Sequence, residues 1–204
     1  MCWQVWLVKP DHQSKLYCAT SNPGKLREFS LAAGQGWEIV PLLGIPPCEE
    51  IGETLEANAI QKAVYYSRFA PGLLFAEDSG LEVEALGGAP GVRSARFAGS
   101  GASDADNNRA LMEKLIGVSN RSARYVSVIA VAEAGNELRK FRGEVEGQIV
   151  DQPRGLNGFG YDPYFYYEPF GLTFAEASAE QKLQVSHRGR ALAKMLEWYR
   201  SRRA

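Results

Sequence analysis

Apolar positions along this chain come in short runs separated by polar turns, and their spacing changes from stretch to stretch. Leu16 to Ala19 reads as a short strand. The polar turn Thr20-Ser21-Asn22-Pro23-Gly24-Lys25 follows, and Leu26, Phe29 and Ala33 then recur at helical spacing. Asn22 is a good N-cap and Pro23 suits the first helical turn. Trp37 to Leu43 predicts a second strand, and Pro46 to Gly52 a loop with two adjacent acids, Glu49 and Glu50. Thr54 to Phe69 predicts a helix with Leu55, Ala59, Ala63 and Tyr66 on one face and Pro71-Gly72 as its stop. Leu73 to Ala76 reads as the end of a buried strand, with Glu77 and Asp78 at its rim and Ser79-Gly80 as a turn.

The second half continues the alternation. Ser103, with Asp106 three residues on, predicts a capped helix that Gly117 ends. Arg124 to Ala132 and Leu138 to Val150 predict a long hairpin turning at Ala134-Gly135-Asn136, with a bulge at Gly143. A glycine-rich, aromatic loop spans 155–163, before a strand from Tyr164 to Tyr167. Ser178 with Gln181 predicts another capped helix, and the polar turn Ser186-His187-Arg188-Gly189 leads into an amphipathic C-terminal helix. In residues 1–15, Trp3, Val5 and Leu7 alternate while Trp6 and Val8 break the pattern, so an added strand and a disordered extension both fit. The organisation read here is an N-terminal extension over 1–15 and a single α/β domain over 16–204.

Composition narrows the classes. The 204 residues suffice to bury about 70% of the unfolded surface, so no covalent staple is needed. A formal net charge of −1 argues against a nucleic-acid binder, which would show a basic excess. Three cysteines without CxxC spacing argue against a disulfide framework or a zinc site and fit a reducing, cytoplasmic compartment. The N-terminus has neither a basic leader nor a run long enough for a membrane span.

The candidate chemistry clusters at the turns. Carboxylates at a strand exit must be solvated, paired or metal-bound, because isolated buried charge is too costly. A lysine in the first helical turn is unusual unless an anion neutralises it, and helix N-termini bind phosphate. The bland alternative is an ordinary capped helix with a solvated lysine. Against the Walker A pattern, Ala19 replaces the first glycine and Leu26 the final hydroxyl. Phe159 and Tyr161 offer flat faces for a nucleobase and Asp162 a polar edge, although a packed aromatic turn is the plain reading. Arg93 and Arg96 are usable on phosphate and equally plausible as solvated charges.

Four ordered segments, TSNPGKLRE at 20–28, EDSGLEVEALGGAPGVRSARF at 77–97, GFGYDPYF at 158–165 and SHRGRAL at 186–192, resemble the inosine/xanthosine triphosphate pyrophosphatases. The resemblance covers about residues 16 to 200. It implies an α/β fold with a long, curved, mixed β-sheet and helices forming two lobes around a nucleotide cleft. It also implies a homodimer, dependence on Mg²⁺, and cleavage of a purine nucleoside triphosphate between its α and β phosphates. Thr20, Ser21, Asn22, Pro23, Gly24 and Lys25 would bind the triphosphate, with Lys62 nearby. Glu49, with Glu50 as the alternative, and Asp78 would hold Mg²⁺, and Asp78 matches the family's general base. Ser79 would touch substrate. Phe159, Gly160, Tyr161 and Asp162 would bind the base, and Lys182, His187 and Arg188 would close over it. Two positions depart from the pattern. Glu56-Ala57-Asn58 stands where Glu-Asn-Ala is common, which displaces an acid by one residue, and Glu77 replaces an aspartate.

Mg²⁺ wants oxygen ligands, few of them carboxylates, so Asp78 and one further acid suffice. No Ser-His or Cys-His pairing calls for a covalent intermediate, which leaves water as the nucleophile. Selectivity would arise at the purine 6-position, where donors such as His187 and Arg188 donate to an oxo group and leave adenine's amine unpaired. The rivals are a Maf-like nucleotide pyrophosphatase of other substrate range and a catalytically silent nucleotide-binding regulator. A nucleic-acid module fits least.

Overall fold

The computed structural model describes residues 14–202. Strands are β1 (Ser14–Ala19), β2 (Trp37–Pro41), β3 (Leu74–Val83), β4 (Ser122–Glu133), β5 (Asn136–Ile149), β6 (Phe165–Tyr167) and β7 (Leu172–Thr173). Helices are α1 (Pro23–Ala33), α2 (Leu55–Ser67), α3 (Asp104–Lys114), α4 (Ala179–Val185) and α5 (His187–Ser201). The seven strands form one mixed sheet in the order β2-β1-β3-β4-β5-β6-β7. The β2, β1 and β3 strands run parallel, and every later pairing is antiparallel. Ser14 and Lys15, read as part of the extension, belong to β1. The rest of that extension lies outside the described residues.

Three apolar clusters build the core. On one face of the sheet, Phe29 of α1 and Leu192, Met195 and Leu196 of α5 pack on Leu16, Phe75, Ile129 and Phe141. On the other, Leu55, Ala59 and Ala63 of α2 pack on Ala76, Val126, Val128, Ala130 and Ala132. Small residues on both sides let α2 lie close. A third cluster joins Leu111 and Leu115 of α3 to Leu81, Tyr125, Val145, Phe165 and Phe174.

Covered on both faces, β3 is buried along nearly its whole length. Here the structure corrects the expected strand end. Ser79-Gly80 is not a turn, and β3 runs on to Val83 against β4, with Gly80 opposite Val126. The glycine serves a close approach instead, since a Cβ at 80 would stand 2.2 Å from the Gly91 carbonyl oxygen. The expected bulge at Gly143 is also absent. Gly143 pairs regularly with Ser127, and the register shifts near Val131 and Ala132. Gly143 is required because the His187 carbonyl oxygen would lie 2.1 Å from its Cβ.

What positions the site is a mismatch of strand lengths. Pairing between β1 and β3 ends at Ala19 opposite Ala76. From Glu77 onward β3 has lost that neighbour, and the turn 20–25 bends away into α1. A gap therefore opens at the carboxyl end of β1, the place where open α/β sheets take ligands.

Candidate active site

Side chains alternate along a strand, so the adjacent acids Glu77 and Asp78 point to opposite faces of β3. Each finds a different set of cations.

Asp78 faces α2. Its Oδ1 accepts from Lys62 Nζ at 2.9 Å and its Oδ2 from Asn58 Nδ2 at 3.3 Å. Lys62 also lies 3.2 Å from Glu50 Oε1, so one ammonium joins two carboxylates. Burial pushes the Asp78 carboxyl above the ordinary aspartate value, with Lys62 pulling against it. Burial works against the Lys62 charge, but Asp78 and Glu50 outweigh it and raise that pKa. Asn58, not anticipated from the sequence, is fully buried and also accepts from Gly52 N at 2.8 Å, which ties the acidic loop to the helix.

Glu49, the first choice for a metal ligand, is exposed, and its main-chain oxygen accepts from Gln61 Nε2 at 2.6 Å. The structure brings its neighbour Glu50 to Lys62 and Asp78 instead. Glu56, the displaced acid, pairs at the surface with Lys140. Among the described residues no group of three or more His, Cys, Asp or Glu gathers as a metal cage. Two carboxylates about one cation position are nevertheless the oxygen-only, sparse donor set that suits Mg²⁺, which takes its other ligands from water and phosphate.

Glu77 faces α1 and α5. Lys25 Nζ stands 2.7 Å from its Oε2, a close ion pair. Its Oε1 accepts from Ser127 Oγ at 2.8 Å and from Arg188 Nε at 3.3 Å. Burial alone would raise the Glu77 carboxyl, but Lys25 and Arg188 hold it well below the carboxylate range. Arg188 Nη2 donates to Ser79 Oγ at 3.1 Å. So Lys25 is not the solvated lysine of the bland alternative. The helix start is capped as expected: Gly24 N and Lys25 N donate to Asn22 Oδ1 at 2.8 and 3.1 Å, and Asn22 N to Thr20 Oγ1 at 3.2 Å. An incoming phosphate must exchange with these internal bonds. Ser21 and Pro23 lie in the same exposed turn.

The base end is built around Phe159. Its ring has Lys182 Nζ at 5.1 Å and Arg188 Cζ at 5.4 Å from the centroid, and it rests against Gly24. Asp162 is buried, and its Oδ2 accepts from Lys182 Nζ at 2.5 Å and Phe159 N at 2.9 Å. Burial raises the Asp162 carboxyl, opposed by Lys182. Glu28, which closes the first motif, accepts from Lys182 Nζ at 2.7 Å and from Arg188 Nη1.

Two expected base contacts sit elsewhere. Tyr161 is packed in the core with its hydroxyl donating to the Ser94 carbonyl at 2.8 Å, so Phe159 supplies the available face. His187 is not on a polar turn. It occupies the first turn of α5, buried and stacked on Tyr125 at 4.6 Å, with Nδ1 lacking a partner among the described residues. Burial, then the nearby Arg188 charge, hold its pKa well below the ordinary value, so the ring is neutral at pH 7. Cys18 and Cys48 are both free thiols.

The sheet, its strand-end gap and the buried carboxylate–cation pairs on either side define an α/β protein with a charged cleft at the ends of its parallel strands. Residues 16–198 match the model of the Ham1 family, and the chain belongs to that family. It is 50% identical over 194 residues to a dITP/XTP pyrophosphatase of Acidobacterium capsulatum, covering 89% of this chain and 96% of that protein. A dITP/XTP pyrophosphatase of Exiguobacterium sp. is 46% identical over 185 residues, 89% of this chain and 94% of its own length. Among solved structures, a HAM1 protein from Coxiella burnetii superposes with a TM-score of 0.83 at 36% identity, covering 92% of this chain and 99% of that one. The Ham1 protein of Staphylococcus aureus gives 0.82 at 37%, covering 93% and 100%. Among the described residues no helix is long and apolar enough to cross a membrane.

Proposed function

We propose that this protein hydrolyses non-standard purine nucleoside triphosphates of the dITP, ITP and XTP kind to the monophosphate and pyrophosphate, in the cytoplasm. The observation that carries this reading is the gap beyond Ala19 and Ala76, with Asp78, Lys62 and Glu50 on one side and Lys25, Arg188, Lys182 and Phe159 on the other. Thr20 to Lys25 and Lys62 receive the triphosphate. Asp78 orients the attacking water and takes its proton, a task suited to a carboxylate placed beside Lys62 at the cleft. Glu50 and Asp78 would hold Mg²⁺, with Glu49 one residue away as the alternative to Glu50, and the bound metal would neutralise charge on the leaving pyrophosphate.

At the other end the base lies on the Phe159 ring. Lys182 and Arg188 direct donors toward it, and a 6-oxo purine can accept them. Adenine presents an amine there and leaves both sides unpaired. A homodimer belongs to the same reading, and light scattering at twice the 22.4 kDa chain mass tests it. The reaction is tested by pyrophosphate release from dITP, XTP, ITP, GTP and ATP, with Mg²⁺ and with a chelator. Metal-dependent release from the first three, far above GTP and ATP, is expected. No release from any of them overturns the reading.

A further inference from the structure

Gly160, in the loop that carries Phe159, is held by both of its main-chain polar groups. Its N–H donates to Asp104 Oδ2 at 2.7 Å, and its carbonyl accepts from Asn108 Nδ2 at 2.9 Å. The two side chains are four residues apart on α3 and so share one face of it. Asn108 is buried, and its Nδ2 also donates to the Asp104 carbonyl at 2.9 Å, which fixes the amide plane.

The helix that supplies this grip is itself fixed. Leu111 and Leu115 are fully buried, and Ser103 and Asp106 close a capping box at its start. Asn107 accepts from Ala98 N at 2.9 Å and donates to the Ala95 carbonyl at 3.2 Å. Gly160 has a φ of 64°, a left-handed conformation that glycine adopts without strain, and a residue with no Cβ keeps more backbone freedom unless its polar groups are held. Its neighbours are tied as well, Phe159 N to Asp162 and the Tyr161 hydroxyl to Ser94.

We propose that Asp104 and Asn108 are positioning residues for base selection. By fixing Gly160 against α3 they set where the Phe159 ring stands over the cleft. This rests on the reading of Phe159 as the base-facing ring. Their hydrogen bonds run to main-chain groups of residues 104 and 160 and not to Lys25, Lys62 or Asp78, so losing them acts on the base and spares the chemistry at the phosphates.

The test uses the full-length Asp104→Ala, Asp104→Asn and Asn108→Ala variants, with kcat and KM for XTP and GTP and hydrogen exchange at the Gly160 amide. In Asp104→Ala and Asn108→Ala, KM for XTP rises about tenfold, kcat stays within about threefold, and the preference for XTP over GTP falls about tenfold. Asp104→Asn keeps an acceptor oxygen and restores most of both. Exchange at Gly160 quickens in Asp104→Ala and not in Asp104→Asn. The proposal is overturned if both alanine variants keep the wild-type KM and preference, or if kcat falls equally for both bases with the preference intact. Should Asn108→Ala fail to fold, the two Asp104 variants decide. A wild-type protein that releases no pyrophosphate sinks the functional reading and this proposal together; an active wild type with unmoved variants sinks the proposal alone.

Discussion

Lys25 Nζ lies 2.7 Å from Glu77 Oε2, joining the first turn of α1 to the middle of β3. This contact is the first link of a chain in which charge alternates. Glu77 meets Arg188, Arg188 and Lys182 share Glu28, and Lys182 meets Asp162. Three cations and three carboxylates thus connect the phosphate end of the cleft to the base end. Each stands in contact with a partner of opposite sign, which offsets the cost of placing charge inside the protein.

Removing the central carboxylate therefore has a large and pH-dependent effect. Glu77→Gln leaves Lys25 and Arg188 without their shared acid, and a loss of about 3–5 kcal/mol is expected at pH 7. The sign follows from the depressed Glu77 pKa. Its stabilisation is fully present above the ordinary 4.5 and is lost as pH falls toward the folded-state value. The stability gap between wild type and variant must narrow below about pH 4.5. Denaturant melts from pH 7 to pH 3 measure it, and a gap constant over that range would show that the pair does not supply the stability.

Features encoded within four residues are legible in the sequence. Asn22, Ser103 with Asp106, and Ser178 with Gln181 all cap the helices expected of them, because a cap depends on its own turn. Features set by distant chain are not. Ser79-Gly80 has turn chemistry, yet pairing with β4 carries the strand through it. Gly143 reads as a bulge, while its need for a bare Cα comes from the start of α5. The site divides the same way. Lys25, Asp78, Phe159 and Arg188 stand in ordered motifs, with Glu28 closing the first of them, but Asn58, Asp104 and Asn108 sit on helix faces whose partners only the fold brings near. The spacing of a carboxylate or amide on a helix carries no mark of what it will face.

Asp78→Asn keeps shape and removes a charge that burial already disfavours, while Glu50 remains on Lys62. Its melting temperature is expected within about 5 °C of wild type. Turnover should fall by about 10²–10⁴, the share of a positioned general base. Steady-state pyrophosphate release measures it, and retention of more than about a tenth of wild-type kcat would remove Asp78 from its assigned role.

Glu49 and Glu50 are adjacent and chemically alike, so the pair forms its own control. Only Glu50 reaches the ammonium that Asp78 also holds. Glu50→Gln should raise the Mg²⁺ concentration for half-maximal activity about tenfold, and Glu49→Gln should leave it within about twofold. The reverse order in a magnesium titration would return the ligand role to Glu49.

Gly24 and Phe159 give a steric test of the base end. A Cβ on Gly24 would stand 2.7 Å from Phe159 Cδ1 and 2.9 Å from Cε1, so Gly24→Ala must displace the ring. The contact is with a side-chain ring that can shift, so the cost to the fold is small. The effect should therefore appear in binding, with KM for XTP raised about fivefold to tenfold and little change in melting temperature. The same substitution also sits at the helix start that receives phosphate, and a double-mutant cycle separates the two routes. In a Phe159→Ala background there is no ring to push, so adding Gly24→Ala should raise KM no further. An equal rise in both backgrounds would mean that the methyl group acts on the phosphates and that the Phe159 ring does not carry the base.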